Sequence, residues 1–230
     1  MKLGDELDNS FKHIVTALKE LQTTAKDTSY KLIFFQLLSS GIERLLKCTK
    51  IFAILHKENR FPTLKEIQTH DILGLFNEIK NNYFVWNNYM CTQDKDFLEH
   101  DEYLIEILGL LSKFAQYDRY YNLNIVVGEK TNDIDLSLSE LSSKYINDRK
   151  DLMTALYDEP DYEFLDNEIT RFYISIIERF IRGIAAQYIH GNLGDEPKRL
   201  MGDFSHFVMM NNEDLGKTDY YKKYFYKEIK

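Results

Sequence analysis

Apolar residues recur at helical spacing along almost the whole of this 230-residue chain, and that periodicity leaves little room for a sheet. "DNSFKHIVTALKELQ" puts Phe11, Ile14, Val15, Leu18 and Leu21 on one stripe, with Asp8, Asn9 or Ser10 available as the cap. From Tyr30 to about Lys57 the apolar residues cover much of the circumference, which predicts a helix in the middle of a bundle, ended by Pro62. "THDILGLFNEIKNNYFVW" follows, with Thr69 or Asp71 near its start. A fourth helix runs through "DKDFLEHDEYLIEILGLLSKFAQYDRYY", its acids gathered where the macrodipole favours them. Four more amphipathic segments come later: "SLSELSSKYINDRKDLMTALY", the stretch from Asp161 to His190, "EPKRLMGDFSHFVMM" and "TDYYKKYFYKEI". Only ten Gly and three Pro interrupt all this. The expectation is an all-α bundle of about seven to eight helices.

The pattern breaks once, at "NLNIVVGEKTNDID", where Ile125-Val126-Val127 is short enough to be an isolated extended piece. That break suggests residues 1–127 as one helical bundle and 128–230 as a C-terminal helical region packed on it, in two units or one continuous domain. A net charge of −8 argues against coating nucleic acid through a broad positive field, though not against a small basic site. Cys48 and Cys91 show no metal-ligand spacing, so they read as reduced thiols of a cytoplasmic protein, with no metal site and no cofactor expected. The opening "MKLGDELDNS" lacks the apolar stretch of a signal peptide, and no apolar run approaches the roughly 20 residues of a spanning helix, so no membrane association is expected.

Within residues 41–79, "GIERLLKCTKIFAILHKENRFPTLKEIQTHDILGLFNEI", a helix carries Glu43 and Lys47 one turn apart, a loop holds Phe61-Pro62, and His70-Asp71 opens the next helix. Further on, "YDRYYNL" supplies an Arg-Tyr pair, Arg119 and Tyr120. Over about residues 28–123 the chain thereby resembles the HEPN superfamily, small helical bundles of prokaryotic toxin and phage-defence systems, to which the C-terminal helices would be an addition. The resemblance implies a homodimer that binds or cleaves RNA, or a nucleotide, without a metal. In such enzymes an Arg is followed four to six residues later by a His, and two protomers bring two such pairs together. The His assists attack by the ribose 2′-hydroxyl while the Arg steadies charge on phosphate, roles that suit the two side chains.

This chain departs from that spacing. Arg119 has no His after it until His190, and Arg182 precedes His190 by eight positions. On one helix, eight positions differ by about 80° in azimuth and about 12 Å in rise, so Arg182 and His190 would meet only across a two-fold axis. Otherwise His190-Gly191 reads as a helix end, with Gly in the left-handed cap position. His70 is the second candidate base, its ring held by Lys47 and Asp71, or else a helix-start residue filling a gap. Glu43 and Lys47 at i,i+4 read as an internal clasp between helices or as a polar cleft for a phosphate or base. Arg119 alternatively holds the carbonyls of its own helix. The acidic run "DEPDYEFLDNE" lacks the alternating ligands of a calcium loop and fits a helix start with Pro160 in the first turn. The basic, aromatic tail has Tyr221, Tyr224, Phe225 and Glu228 at helical spacing, as in a docked terminal helix, although such a mixture also stacks bases. Two functions therefore stand side by side: a metal-independent endoribonuclease with Arg182, His190 and His70 as catalytic candidates and Glu43, Lys47, Asp71, Arg119 and Tyr120 as binding candidates, or a non-catalytic module for a partner protein or dimerisation.

Overall fold

Two 28-residue helices, α2 (Lys31–Glu58) and α10 (Tyr162–Ile189), form the inside of the molecule. The computed structural model describes residues 2–24, 31–118, 126–128, 134–158 and 160–222. Around the two long helices stand α1 (Lys2–Thr24), α3 (Leu64–Ile67), α4 (Ile72–Tyr83), α5 (Tyr89–Thr92), α6 (Lys95–His100) and α7 (Glu102–Lys113). After a π-turn at Phe114–Asp118 come α8 (Ile134–Asn147) and α9 (Lys150–Tyr157), and beyond α10 lie α11 (Asp195–Leu200) and α12 (Ser205–Val208). The fold is all-α, and no strand occurs among the described residues. There are more helices than the seven or eight expected, because several expected helices are divided.

Each division has a local cause. Asp101 leaves the helical region at ψ 116° and turns its carboxylate to the Leu104 amide at 2.8 Å, so it caps α7 and ends α6. The segment from Ser137 to Tyr157 is likewise split, with Arg149 extended between α8 and α9. α1 begins six or more residues before the expected caps, and Ser10 instead lies inside it, donating to the Gly41 carbonyl of α2 at 2.8 Å. Asp161, not Pro160, opens α10, accepting from the Phe164 amide at 3.0 Å. Val126 and Val127 are largely exposed, and Ile125 lies outside the described residues. At the C-terminal end Tyr220–Lys222 is a turn and not the start of a helix; Tyr224, Phe225 and Glu228 lie outside the described residues.

Phe11, Ile14, Val15, Leu18 and Leu21 of α1 are all buried, as their stripe predicts. The main core draws on both sides of the expected boundary near residue 127, joining α1, α2, α4, α6 and α7 to α10 and the segment after it. Aromatic rings make many of the joints: Phe76 of α4 meets Phe180 of α10 edge to face at 5.0 Å, and Phe11 meets Phe204 at 5.2 Å. Such pairs add about 0.5–1.5 kcal/mol beyond the area they bury. Among the described residues no helix is long and apolar enough to cross a membrane.

α10 ends as its sequence predicts. Gly191 has φ +74°, its amide reaches the Tyr188 carbonyl, and the Asn192 amide reaches back to Gln187. That is the paired arrangement of a Schellman cap, with His190 as the C-cap residue. Gly216 has φ +78° as well, and a Cβ there would lie 2.6 Å from the Arg171 carbonyl oxygen. A left-handed residue other than Gly costs roughly 1–2 kcal/mol. Gly191→Ala, with open space around it, should lose about that much in urea unfolding, and Gly216→Ala clearly more, because it adds a backbone clash. Equal losses would mean that the segment around Gly216 is not seated on α10.

Candidate functional site

The α2 face turned toward α3 and α4 carries charged side chains into a largely apolar surrounding. Glu43 there is buried, and Lys47 one turn later donates to it at 2.7 Å. His70, in the loop before α4, places Nδ1 3.1 Å from both Glu43 carboxylate oxygens. One turn beyond Lys47, buried Lys50 reaches the Glu66 carbonyl at 2.6 Å and the Glu78 carboxylate at 2.7 Å. The sequence-derived clasp is therefore present, with one change of partner. Glu43, not Asp71, holds the His70 ring. Asp71 caps α4, accepting from the Gly74 amide at 2.9 Å.

Exposure decides what this cluster has to offer. The His70 side chain is 54% exposed and that of Lys47 24%, against 10% for Glu43. A sheltered carboxylate thus orients one imidazole and one ammonium at the edge of solvent. Burial works to raise the Glu43 carboxyl, and the hydrogen bonds from Lys47 and His70 outweigh it, holding the group below its ordinary 4.5.

Arg182 lies elsewhere and does something else. It is 1% exposed inside the core. Nε and Nη2 grip the two oxygens of Asp94 at 2.7 and 2.6 Å, Nη1 donates to the Met210 carbonyl at 2.8 Å, and Nη2 also reaches Asn212 Oδ1 at 2.6 Å. Arg179, one turn earlier, donates to the same carboxylate at 2.9 Å and lies over the Phe97 ring. The expected partnership of Arg182 with His190 is corrected by this burial: four of its five N–H groups are bonded within the protomer, and a two-fold axis at the surface does not reach a side chain 1% exposed. His190 is exposed at the end of α10. Arg119 and Tyr120 lie outside the described residues.

Sequence reasoning missed Asp94, reading it as one more acid in the opening turns of a helix. It does occupy the N-cap position of α6, but its side chain makes no cap bond and is fully buried on the arginines. The signal was faint: the partners stand 85 and 88 residues away, and only the two Arg one turn apart on an apolar stretch of helix hint that something must neutralise them. Buried Glu178 was missed too; it accepts from the Gly216 amide at 2.6 Å and the Tyr220 hydroxyl at 2.7 Å. Burial pushes the Cys48 thiol up to about 12 and raises that of Cys91, as for unreactive thiols. No group of metal-ligating side chains occurs among the described residues. No family model, curated protein or solved structure matches this chain.

Two outcomes follow from these charges. Asp94→Ala strands a buried guanidinium, and breaking a buried pair in this way costs about 3–5 kcal/mol. Guanidinium unfolding should show that loss, with part of it recovered in the apolar double variant Asp94→Leu/Arg182→Met. A loss for Asp94→Ala no larger than that of a surface substitution would contradict the assignment. A carboxyl held below its unfolded value adds stability that is present above that value and disappears as pH falls through the folded one. Wild type should thus lose stability below about pH 4.5 more steeply than Glu43→Gln, in thermal unfolding followed from pH 7 to pH 3.

Proposed function

We propose that this chain is a HEPN-like helical protein of the bacterial cytoplasm that keeps the fold for binding and not for RNA cleavage, as a homodimer or a docking module for a partner protein in a defence or toxin setting. The observation that carries this reading is the capture of Arg182 by Asp94, Met210 and Asn212. An arginine that is 1% exposed and spends four of its five N–H groups inside the core is out of reach of a phosphate at the surface, and the Arg-to-His couple of the nuclease members is not assembled by it. The unpaired, buried thiols suit a reducing compartment.

A second reading rests on a different observation. With the proton on Nδ1, the bond from His70 to Glu43 leaves Nε2 as the basic nitrogen of an exposed ring. A carboxylate that orients an imidazole in this way, beside an ammonium, is a minimal general base for a ribose 2′-hydroxyl. It makes His70, and not His190, the residue on which a metal-independent endoribonuclease would turn.

The two readings separate in one experiment. Wild type, His70→Ala and His190→Ala are sized in solution and incubated with single-stranded and structured RNA in EDTA. The binding reading expects twice the mass of the chain, or a stable complex with a partner, and no cleavage above background. Cleavage leaving 2′,3′-cyclic phosphate ends and falling by about 10² or more in His70→Ala would hand the case to the ribonuclease. Cleavage equal in all three would indicate a contaminant or a site among the residues not described.

A further inference from the structure

The C-terminal ends of α2, α4 and α10 meet around a cleft of about 340 Å³ that belongs to neither polar cluster described above. His56 and Lys57 line it from α2, Asn82 and Tyr83 from α4, and Val85 and Asn192 from the segments that follow α4 and α10. Its volume lies at the lower end of the roughly 300–1,000 Å³ of small-ligand sites.

The far wall is built and rigid. Gln187, fully buried, accepts from the Val85 amide at 2.9 Å and donates to the Val85 carbonyl at 3.1 Å, which fixes which end of its amide is which. Asn192 therefore presents its NH₂ to Gln187 Oε1 at 2.9 Å and to the Val85 carbonyl at 3.3 Å. A third runs from Nδ2 to Cys91 Sγ at 3.4 Å. All three use Nδ2, and Asn192, a lining residue of the cleft, keeps Oδ1 as its acceptor. His56 lines the cleft as well, exposed, with its ring against the turn at Gly194.

Electrostatics narrow the ligand. Three helix C-termini bring the negative ends of three backbone dipoles together, which disfavours an anion. The Lys57 ammonium already answers part of that field, donating to the Asn82 carbonyl at 2.7 Å and lying 5.3 Å from the centre of the Tyr83 ring. A second cation would face it and be repelled. The lining suits a neutral, planar molecule, since it combines the Asn192 amide oxygen and the His56 imidazole with the Tyr83 and Phe84 rings. A nucleobase carries donors and acceptors on one edge and a π-face for stacking.

We propose that this cleft is a nucleobase-binding site, recognising the base and not the phosphate. The inference stands apart from the reading of His70 and Arg182 and requires no cleavage. Adenosine, guanosine, cytidine and uridine are titrated separately into the full chain, followed by amide chemical shifts and calorimetry, with each 5′-monophosphate and inorganic phosphate as parallel arms. At least one nucleoside should saturate and shift the amides of Lys57, Tyr83, Val85 and Asn192. Its monophosphate should bind within about 3-fold of it, and phosphate alone should not compete. His56→Ala, a surface change with unaltered thermal unfolding, should weaken binding about 3- to 10-fold, the usual effect of one hydrogen bond. The proposal is overturned if no nucleoside saturates, if the shifts lie elsewhere, if His56→Ala binds as wild type, or if the monophosphate binds more than about 10-fold tighter, which would mark an anion site.

Discussion

Asp94 carries its carboxylate at zero exposure, and much of the molecule is arranged so that it can stay there. Taking such a charge out of water costs several kcal/mol even after relaxation, and only a well-aimed partner offsets that. Arg182 supplies a two-pronged grip and Arg179 a third bond from the rim. The grip ties the start of α6 to the middle of α10, elements that sequence places far apart. It also sets the orientation of the Arg182 guanidinium, which then has one edge left for the Met210 carbonyl and the Asn212 side chain.

From that edge the rest of the C-terminal segment follows in order. Met210 and Asn212 are held by Arg182, Gly216 and Tyr220 by Glu178 one turn earlier on α10, and Thr218 and Tyr220 by Gln22 at the end of α1. A segment almost without regular structure is thus fastened by polar groups, while Phe204 and Phe207 fill the apolar gap beside Phe11. Its backbone groups find their partners on side chains of helices already in place, which is how irregular chain can lie against a core without stranding its amides and carbonyls.

The contrast with what the sequence discloses is physical. Helical periodicity is a local property, and it marks α1, α2, α4, α7 and α10 with their apolar faces. Gly191 ends α10 through its own backbone preference, and Glu43 with Lys47 is a contact within one turn, so both were legible. Asp101 was not, because an acid in a helix start and an acid that creates the start look alike in a string of letters. Ser10 misled for a similar reason: a residue suited to capping also suits a close crossing where its hydroxyl finds a carbonyl on a neighbouring helix. Asp94 with Arg182, and Glu178 with Tyr220, depend on which distant segments meet, and no spacing rule encodes that.

The two charged assemblies differ in what they leave unspent. Around Asp94 every oxygen has an arginine and Arg182 is hidden, so the cluster holds helices together and presents little to solvent beyond the flank of Arg179. Around Glu43 a single carboxylate serves both Lys47 and His70, and those two side chains stay partly exposed, His70 the more so. A group that is oriented from behind and open in front is what acid–base chemistry needs; a group enclosed on all sides is what a core needs. Among the described residues, His70 is the group of that cluster that is both oriented and open to solvent, and Arg182 belongs to the architecture that keeps α10 where it is.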